Sequence, residues 1–206
     1  MPAVKNPMAR KWAQKAADTA KPIVLDPVGA GSTDNRLRST MQLLRQFRFA
    51  AIRGNASEIS ALLSTSPITM KAEKGVDSAE TTLEDKIALA KKAAKRFSCT
   101  VMVTGSTDVV AGGDKVALVS NGIPMMSKIT GTGCLASGLV AALCGCTGDS
   151  FDAAVTAAAL IGTVGEIAGE TAKGTGSLYV GMLDTLTNIT PDIFTQYAKI
   201  ENYTGE

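Results

Sequence analysis

The stretch TTLEDKIALAKKAAKRFSCTVMVTG, residues 81–105, sets the architecture. Leu83, Ile87, Ala90, Ala94 and Phe97 step round one side at the helical period, and Lys and Arg gather in the last turns, where the negative end of the helix dipole favours them. The spacing predicts a helix over 81–97. CTVMVTG (99–105) follows at once, a short apolar run closed by glycine that reads as a strand buried on both faces. Outward from this unit the alternation continues. Towards the N-terminus, Met8, Trp12, Ala16 and Ala17 with Pro7 predict a helix over 7–19. Next come a buried strand in IVLDPV (23–28), a helix over 34–46 and a strand in FAAIRG (49–54). NASEISALL (55–63) then reads as a helix opened by Asn55 with Glu58 three residues on, the spacing of a capping box. Towards the C-terminus, VVAGGDKVALVSN (109–121) reads as a hairpin turning at Gly112-Gly113, followed by small-residue helices over 131–144 and 151–170 and two shorter amphipathic pieces. Strand–helix–strand–helix–strand implies an α/β fold, with a mainly parallel central sheet and helices on both faces. No repeat, linker or low-complexity tract divides it, so residues 1–206 are expected to form a single domain.

Composition narrows the chemistry. The chain has 206 residues, 45% hydrophobic and 19% charged, with 21 Lys plus Arg against 19 Asp plus Glu. That balance argues against a partner such as nucleic acid or an anionic membrane. Every Ala- and Val-rich stretch is broken by Gly or a polar residue, so no membrane span is expected. Histidine is absent, which removes Ser-His-Asp and Cys-His catalysis and His-ligated zinc. Cys99, Cys134, Cys144 and Cys146 form no C-x-x-C pair, and reduced thiols in a cytoplasmic compartment are the expectation. The basic first residues lack the apolar stretch of a secretory signal.

On a sheet of this kind ligands bind beyond the carboxyl ends of the strands. Four such loops carry polar groups. In LDPVGAGST (25–33), Asp26 ends an apolar strand; it reads either as a carboxylate serving Mg²⁺ or phosphate, or as a turn residue capping the next helix. In IRGNASE (52–58), Arg53 offers a fork for phosphate and Glu58 a ligand for Mg²⁺, while Asn55 and Glu58 equally make a capping box with no ligand. In VTGS (103–106), Thr104 reads as a phosphate contact or a plain turn. ITGTGCLASGLVAALCG (129–145) is the sharpest: Gly131, Thr132 and Gly133 precede a helix and let backbone N–H groups close round an anion. It is not a P-loop, since no G-x-x-x-x-G-K-[ST] occurs. Cys134 falls in the first turn of that helix, a place that favours a thiolate, or else it is a small buried apolar residue; the other three cysteines read as packing.

LDPVGAG, IRGNASEI, VMVTG and SKITGTGC, in this order and at this spacing, resemble the hydroxyethylthiazole kinase family, a branch of the ribokinase-like fold. The resemblance runs from about Met8 to the region of Asp184. It implies a ribokinase-like fold and ATP-dependent, Mg²⁺-assisted phosphorylation of 4-methyl-5-(2-hydroxyethyl)thiazole at its hydroxyl, a step of thiamine salvage. It further implies that Arg53 and Thr104 contact the ATP phosphates, with Asn55 in the same nucleotide site, and that Asp26 and Glu58 organise Mg²⁺. Gly131, Thr132 and Gly133 become the anion hole, Gly131 also lies near the thiazole, and Cys134 stands where ribokinase-like enzymes usually place an aspartate base. Family members form homotrimers with sites at subunit boundaries, and a homotrimer is expected.

Family members also carry a strand–helix region before LDPV, with motifs of the type I-T-N-x-V and Gly-x-x-P-x-M, that supplies much of the thiazole pocket. Neither motif is present, so the chain is expected to be a fragment or to have a misassigned start, the alternative being a genuinely shortened homologue. The rival readings are a non-catalytic nucleotide-binding or assembly subunit derived from such a kinase, and a kinase of the same chemistry acting on another small alcohol or a pyrimidine.

Overall fold

The computed structural model describes residues 7–64 and 81–205. In chain order its elements are α1 (Pro7–Asp18), β1 (Val24–Leu25), α2 (Asp34–Gln46), β2 (Ala51–Asn55), α3 (Ala56–Leu63), α4 (Leu83–Phe97) and β3 (Thr100–Thr104). The hairpin β4 (Asp108–Gly112) and β5 (Lys115–Val119) follows, then a 3₁₀ turn (Pro124–Lys128) and α5 (Thr132–Thr147). The chain continues through α6 (Ser150–Gly169), α7 (Thr175–Asn188) and α8 (Pro191–Tyr197) to β6 (Ile200–Asn202).

The six strands form one sheet in sequence order. Pairs β1–β2 and β2–β3 are parallel, whereas β3–β4, β4–β5 and β5–β6 are antiparallel. Four of the six strands therefore run the same way, but the sheet is mixed. The hairpin supplies one antiparallel half, and β6, which the sequence reading did not predict, extends it. Ile200–Asn202 carries no apolar alternation and its side chains are exposed, so only its pairing with β5 marks it as a strand. The first strand is shorter than expected because Pro27 has no N–H to give to a ladder. The hairpin turns one residue later than expected, at Gly113-Asp114, with Gly113 at φ +58 and Gly112 still paired with Lys115.

Strand side chains alternate between two cores. Leu25, Ile52, Val101 and Val103 face α3 and α4, and Ala51, Met102, Val110 and Ala117 face α5 and α6. Ile52, Val101, Met102 and Val103 have no exposed surface, and each such side chain contributes about 1.5–3 kcal/mol of hydrophobic stabilisation. The same period-2 rule puts Asp26, Arg53 and Thr104 on the α5 side at the strand ends.

One expectation is corrected, and α1 shows a feature that its helical spacing left open. α6 has 20 residues and is long and apolar enough by composition to cross a bilayer, because its glycines and threonines lower hydropathy too little to disqualify it; 72% of its apolar window is buried against the rest of the protein. On α1, Met8 and Trp12 are 62% and 66% exposed and only Ala13 is buried, so the helix forms but its apolar stripe faces outward.

Candidate active site

Three strand ends and one helix start converge. Asp26 follows β1, Arg53 stands in β2, Thr104 ends β3 and Gly131 opens α5. The Arg53 guanidinium lies 3.7 Å from Asp26 Oδ2, with the two side chains only 15% and 18% exposed. Arg53 Nη2 donates to Thr104 Oγ1 at 3.2 Å, and that hydroxyl in turn reaches the Gly54 carbonyl at 3.3 Å. Gly133 packs directly against the guanidinium; a Cβ there would stand 2.7 Å from Arg53 Nη1. Four of the sequence-marked residues are thus brought together.

Among the described residues, three buried side-chain polar atoms have no hydrogen-bond partner, and two of them belong to this site: Asp26 Oδ1 and Arg53 Nε. Native proteins leave few such groups, because each forfeits its hydration without replacement. A charged pair too far apart to hydrogen-bond, with an unmet atom on each side, offers both a donor and an acceptor to a polar ligand.

The anion-hole turn has matching features. Gly131 adopts φ +104, a left-handed conformation that favours glycine, and no side chain caps α5. The first-turn amides of Thr132, Gly133 and Cys134 therefore have no intrahelical acceptor and carry the positive end of the helix dipole. The Thr132 hydroxyl points back, donating to the carbonyls of Ile129 at 3.2 Å and Met126 at 3.4 Å, so this residue offers its backbone and not its side chain. Cys134 is exposed, which sets aside the buried alternative; Cys144 is buried, as its packing reading requires, whereas Cys146, near the end of α5, is exposed and does not serve packing. Cys99 is half-buried, and burial pushes its thiol up to about 12.

Asn55 and Glu58 form the capping box that their spacing allowed. Asn55 Oδ1 accepts the Glu58 N–H at 2.8 Å, and Glu58 Oε2 accepts the Asn55 N–H at 3.0 Å. Glu58 also accepts the Gly29 N–H through Oε1 at 2.8 Å, which draws it to the loop that carries Asp26. Asn55 thus serves the helix start. Each Glu58 oxygen keeps further acceptor capacity, so capping and metal chemistry are compatible in that residue.

No group of three potential metal-ligating side chains gathers among the described residues. Two carboxylates on adjoining loops, one with a buried oxygen unmet, do not suit a closed protein cage such as structural zinc requires. They fit Mg²⁺, which keeps waters and takes its remaining ligands from substrate phosphates.

The sequence of this chain matches the profile of the hydroxyethylthiazole kinase family over residues 3–192. It belongs to that family. The hydroxyethylthiazole kinase of Methanocorpusculum labreanum is 41% identical over 192 residues, covering 91% of this chain and 70% of that protein. The enzyme of the same name from Ruminiclostridium cellulolyticum is 40% identical, covering 91% and 68%. The solved hydroxyethylthiazole kinase of Pyrococcus horikoshii superposes with a TM-score of 0.81 at 35% identity, covering 94% of this chain and 70% of that one. A ribokinase-like superfamily protein from Enterococcus faecalis, 14% identical with a TM-score of 0.55 over 92% of this chain and 59% of that one, supports the fold alone. The chain is therefore a ribokinase-like α/β enzyme of the kinase class.

Three polar residues of the site region escaped the sequence reading. Asp108 opens β4 and accepts the Gly105 N–H at 2.8 Å; burial pushes its carboxyl up to about 6, against the pull of that hydrogen bond and of Arg53 and Lys86. Lys86 of α4 is buried and donates to the Thr107 carbonyl at 2.8 Å, and its amine is shifted down by burial, with Asp108 opposing. Both brace the turn after Thr104. Ser137 of α5 donates to Asp26 at 2.7 Å. Its place one turn beyond Cys134 was the available signal, since residues three apart share a helix face.

Proposed function

We propose that this chain phosphorylates the hydroxyl of 4-methyl-5-(2-hydroxyethyl)thiazole with ATP, a thiamine-salvage step, as a cytoplasmic homotrimer. The observation that carries the reading is the pair of buried, unmet atoms, Asp26 Oδ1 and Arg53 Nε, beside an uncapped helix start. Phosphoryl transfer through a loose transition state asks the protein for positioning and charge stabilisation and for little covalent chemistry.

Arg53 holds nucleotide phosphate oxygens through its fork, and Thr104 keeps the guanidinium in place. The amides of Thr132, Gly133 and Cys134 receive charge that develops on the transferring group, with Gly131 supplying the turn and bordering the alcohol substrate. Asp26 and Glu58 are the residues that would hold Mg²⁺, and Asn55 contributes by fixing Glu58. When bound, Mg²⁺ neutralises phosphate charge. Cys134, exposed on the first turn of α5, accepts the proton of the attacking hydroxyl as the base.

The test is ADP release and thiazole phosphate formation by the 206-residue chain, with light scattering for the trimer. Thiazole-dependent turnover that falls in Cys134→Ala supports the reading. ATP binding with no phosphorylation of any alcohol favours the non-catalytic nucleotide-binding subunit. No ATP binding at all removes the site.

A further inference from the structure

Asp26 has a neighbour that the proposed chemistry does not use. Ser137 reaches it across 111 residues of sequence, donating its hydroxyl to Oδ2 at 2.7 Å. The same oxygen faces Arg53 Nη1 at 3.7 Å, while Oδ1 is buried and unmet. One carboxylate oxygen is thus held from two sides and the other has no partner.

That division is not the default for an arginine and a carboxylate. Left to themselves the two planar groups close into a bidentate pair, which satisfies both and would occupy the guanidinium. Here they stand beyond hydrogen-bond distance, and the short hydroxyl bond holds the oxygen that such a pair would use. Ser137 and Cys134 share α5, so the bond also ties the 26–33 loop to the helix start that carries the anion hole.

We propose that Ser137 is a positioning residue. It keeps Asp26 from closing on Arg53, reserves Oδ1 for a metal-bound water and leaves the guanidinium to the nucleotide. The inference rests on reading Asp26 as the metal-side carboxylate.

Calorimetry of the 206-residue chain tests it, with Mg²⁺·ADP and with ADP in EDTA as the two probes. Ser137→Ala is expected to weaken Mg²⁺·ADP binding about 10-fold, the lower range for residues standing behind metal ligands, and to weaken ADP binding in EDTA by a smaller factor, because only the Arg53 contact is then at stake. Ser137→Thr, which keeps the hydroxyl, is expected to restore the affinity. Unchanged Mg²⁺·ADP binding in Ser137→Ala overturns the proposal, as does equal weakening in EDTA or a loss that threonine does not restore. Asp26→Asn separates the two levels. If it weakens Mg²⁺·ADP while Ser137→Ala does not, only the role of Ser137 falls; if neither does, the metal-side reading fails with it. Should Ser137→Ala not fold, Ser137→Cys, with a weaker donor of similar size, takes its place in the same comparison.

Discussion

Two clusters of charge, one in each half of the sheet, are treated in opposite ways. At the end of the parallel half, Arg53 and Asp26 stand 3.7 Å apart and each keeps a buried atom unmet. Beside the antiparallel half, Glu166 of α6 accepts from the Gly122 N–H at 2.7 Å, from Asn121 Nδ2 at 3.4 Å and from Lys199 Nζ at 3.0 Å. Asn121 in turn donates to the Tyr197 carbonyl at 2.8 Å and accepts the Lys199 N–H at 2.7 Å. The second network closes on itself and ties the residues after β5, and those that lead into β6, onto α6. Satisfied polar networks rigidify a fold, whereas an unsatisfied one is stable only because the surrounding packing holds it. On the proposed function, the contrast separates groups kept for a ligand from groups kept for the structure.

The same contrast runs through the glycines. At Gly133 an added Cβ meets the guanidinium end of the Arg53 side chain, 2.7 Å away. At Gly162 it meets the backbone of Asn121, whose carbonyl carbon would lie 2.6 Å away. A side-chain tip can give way; a backbone held by Glu166 cannot.

The largest effect is expected in the open cluster. Cys134→Ala should lower turnover about 10²–10⁴-fold while leaving nucleotide affinity and melting temperature unchanged. A full rate in steady-state assays would remove Cys134 from the chemistry. In the closed cluster, Glu166→Ala should cost about 1–2 kcal/mol in urea unfolding, because a half-buried amide and two side chains lose their shared acceptor. Nucleotide affinity of the folded fraction should hold; a clear fall in that affinity would show that the clusters are not separate. The glycine pair sharpens the point. Gly162→Ala should lose about 1–3 kcal/mol of stability, while Gly133→Ala should raise the ATP KM with little change in melting temperature. Equal stability losses would erase the distinction.

Asp108, at the start of β4, gives the most conditional effect. Its folded pKa of about 6 lies above its ordinary value of 3.8. The stability it contributes is therefore fully present below 3.8 and is lost as pH rises through about 6. Asp108→Asn should stabilise the protein at pH 8 by on the order of 2 kcal/mol, allowing for the group's partial exposure, and change little near pH 4. Melting temperatures across that range check it; a destabilised variant at pH 8 would mean that the charge itself holds the turn after Thr104.

Much of this was legible from the chain alone, because the signals are local. The helix periods, the buried strands, the capping box at Asn55 and the glycine turn at 131–133 depend on neighbours within a few residues. β6 and the outward face of α1 were not legible. An exposed three-residue edge strand has no pattern of its own, and an apolar stripe does not say whether anything covers it. Lys86, Asp108 and Ser137 escaped for a related reason: a lone Lys, Asp or Ser on a helix or strand is ordinary until its partner is known.

The sequence by itself determined the α/β order, the membership of the four loops in one family pattern and the residue types available for chemistry, since all of these are properties of short windows and their spacing. Only the tertiary structure decided which charges are satisfied. Whether Asp26 closes on Arg53 or is held off by Ser137 is a matter of ångströms between elements far apart in the chain, set by how β1, β2 and α5 pack and by nothing that adjacent residues encode.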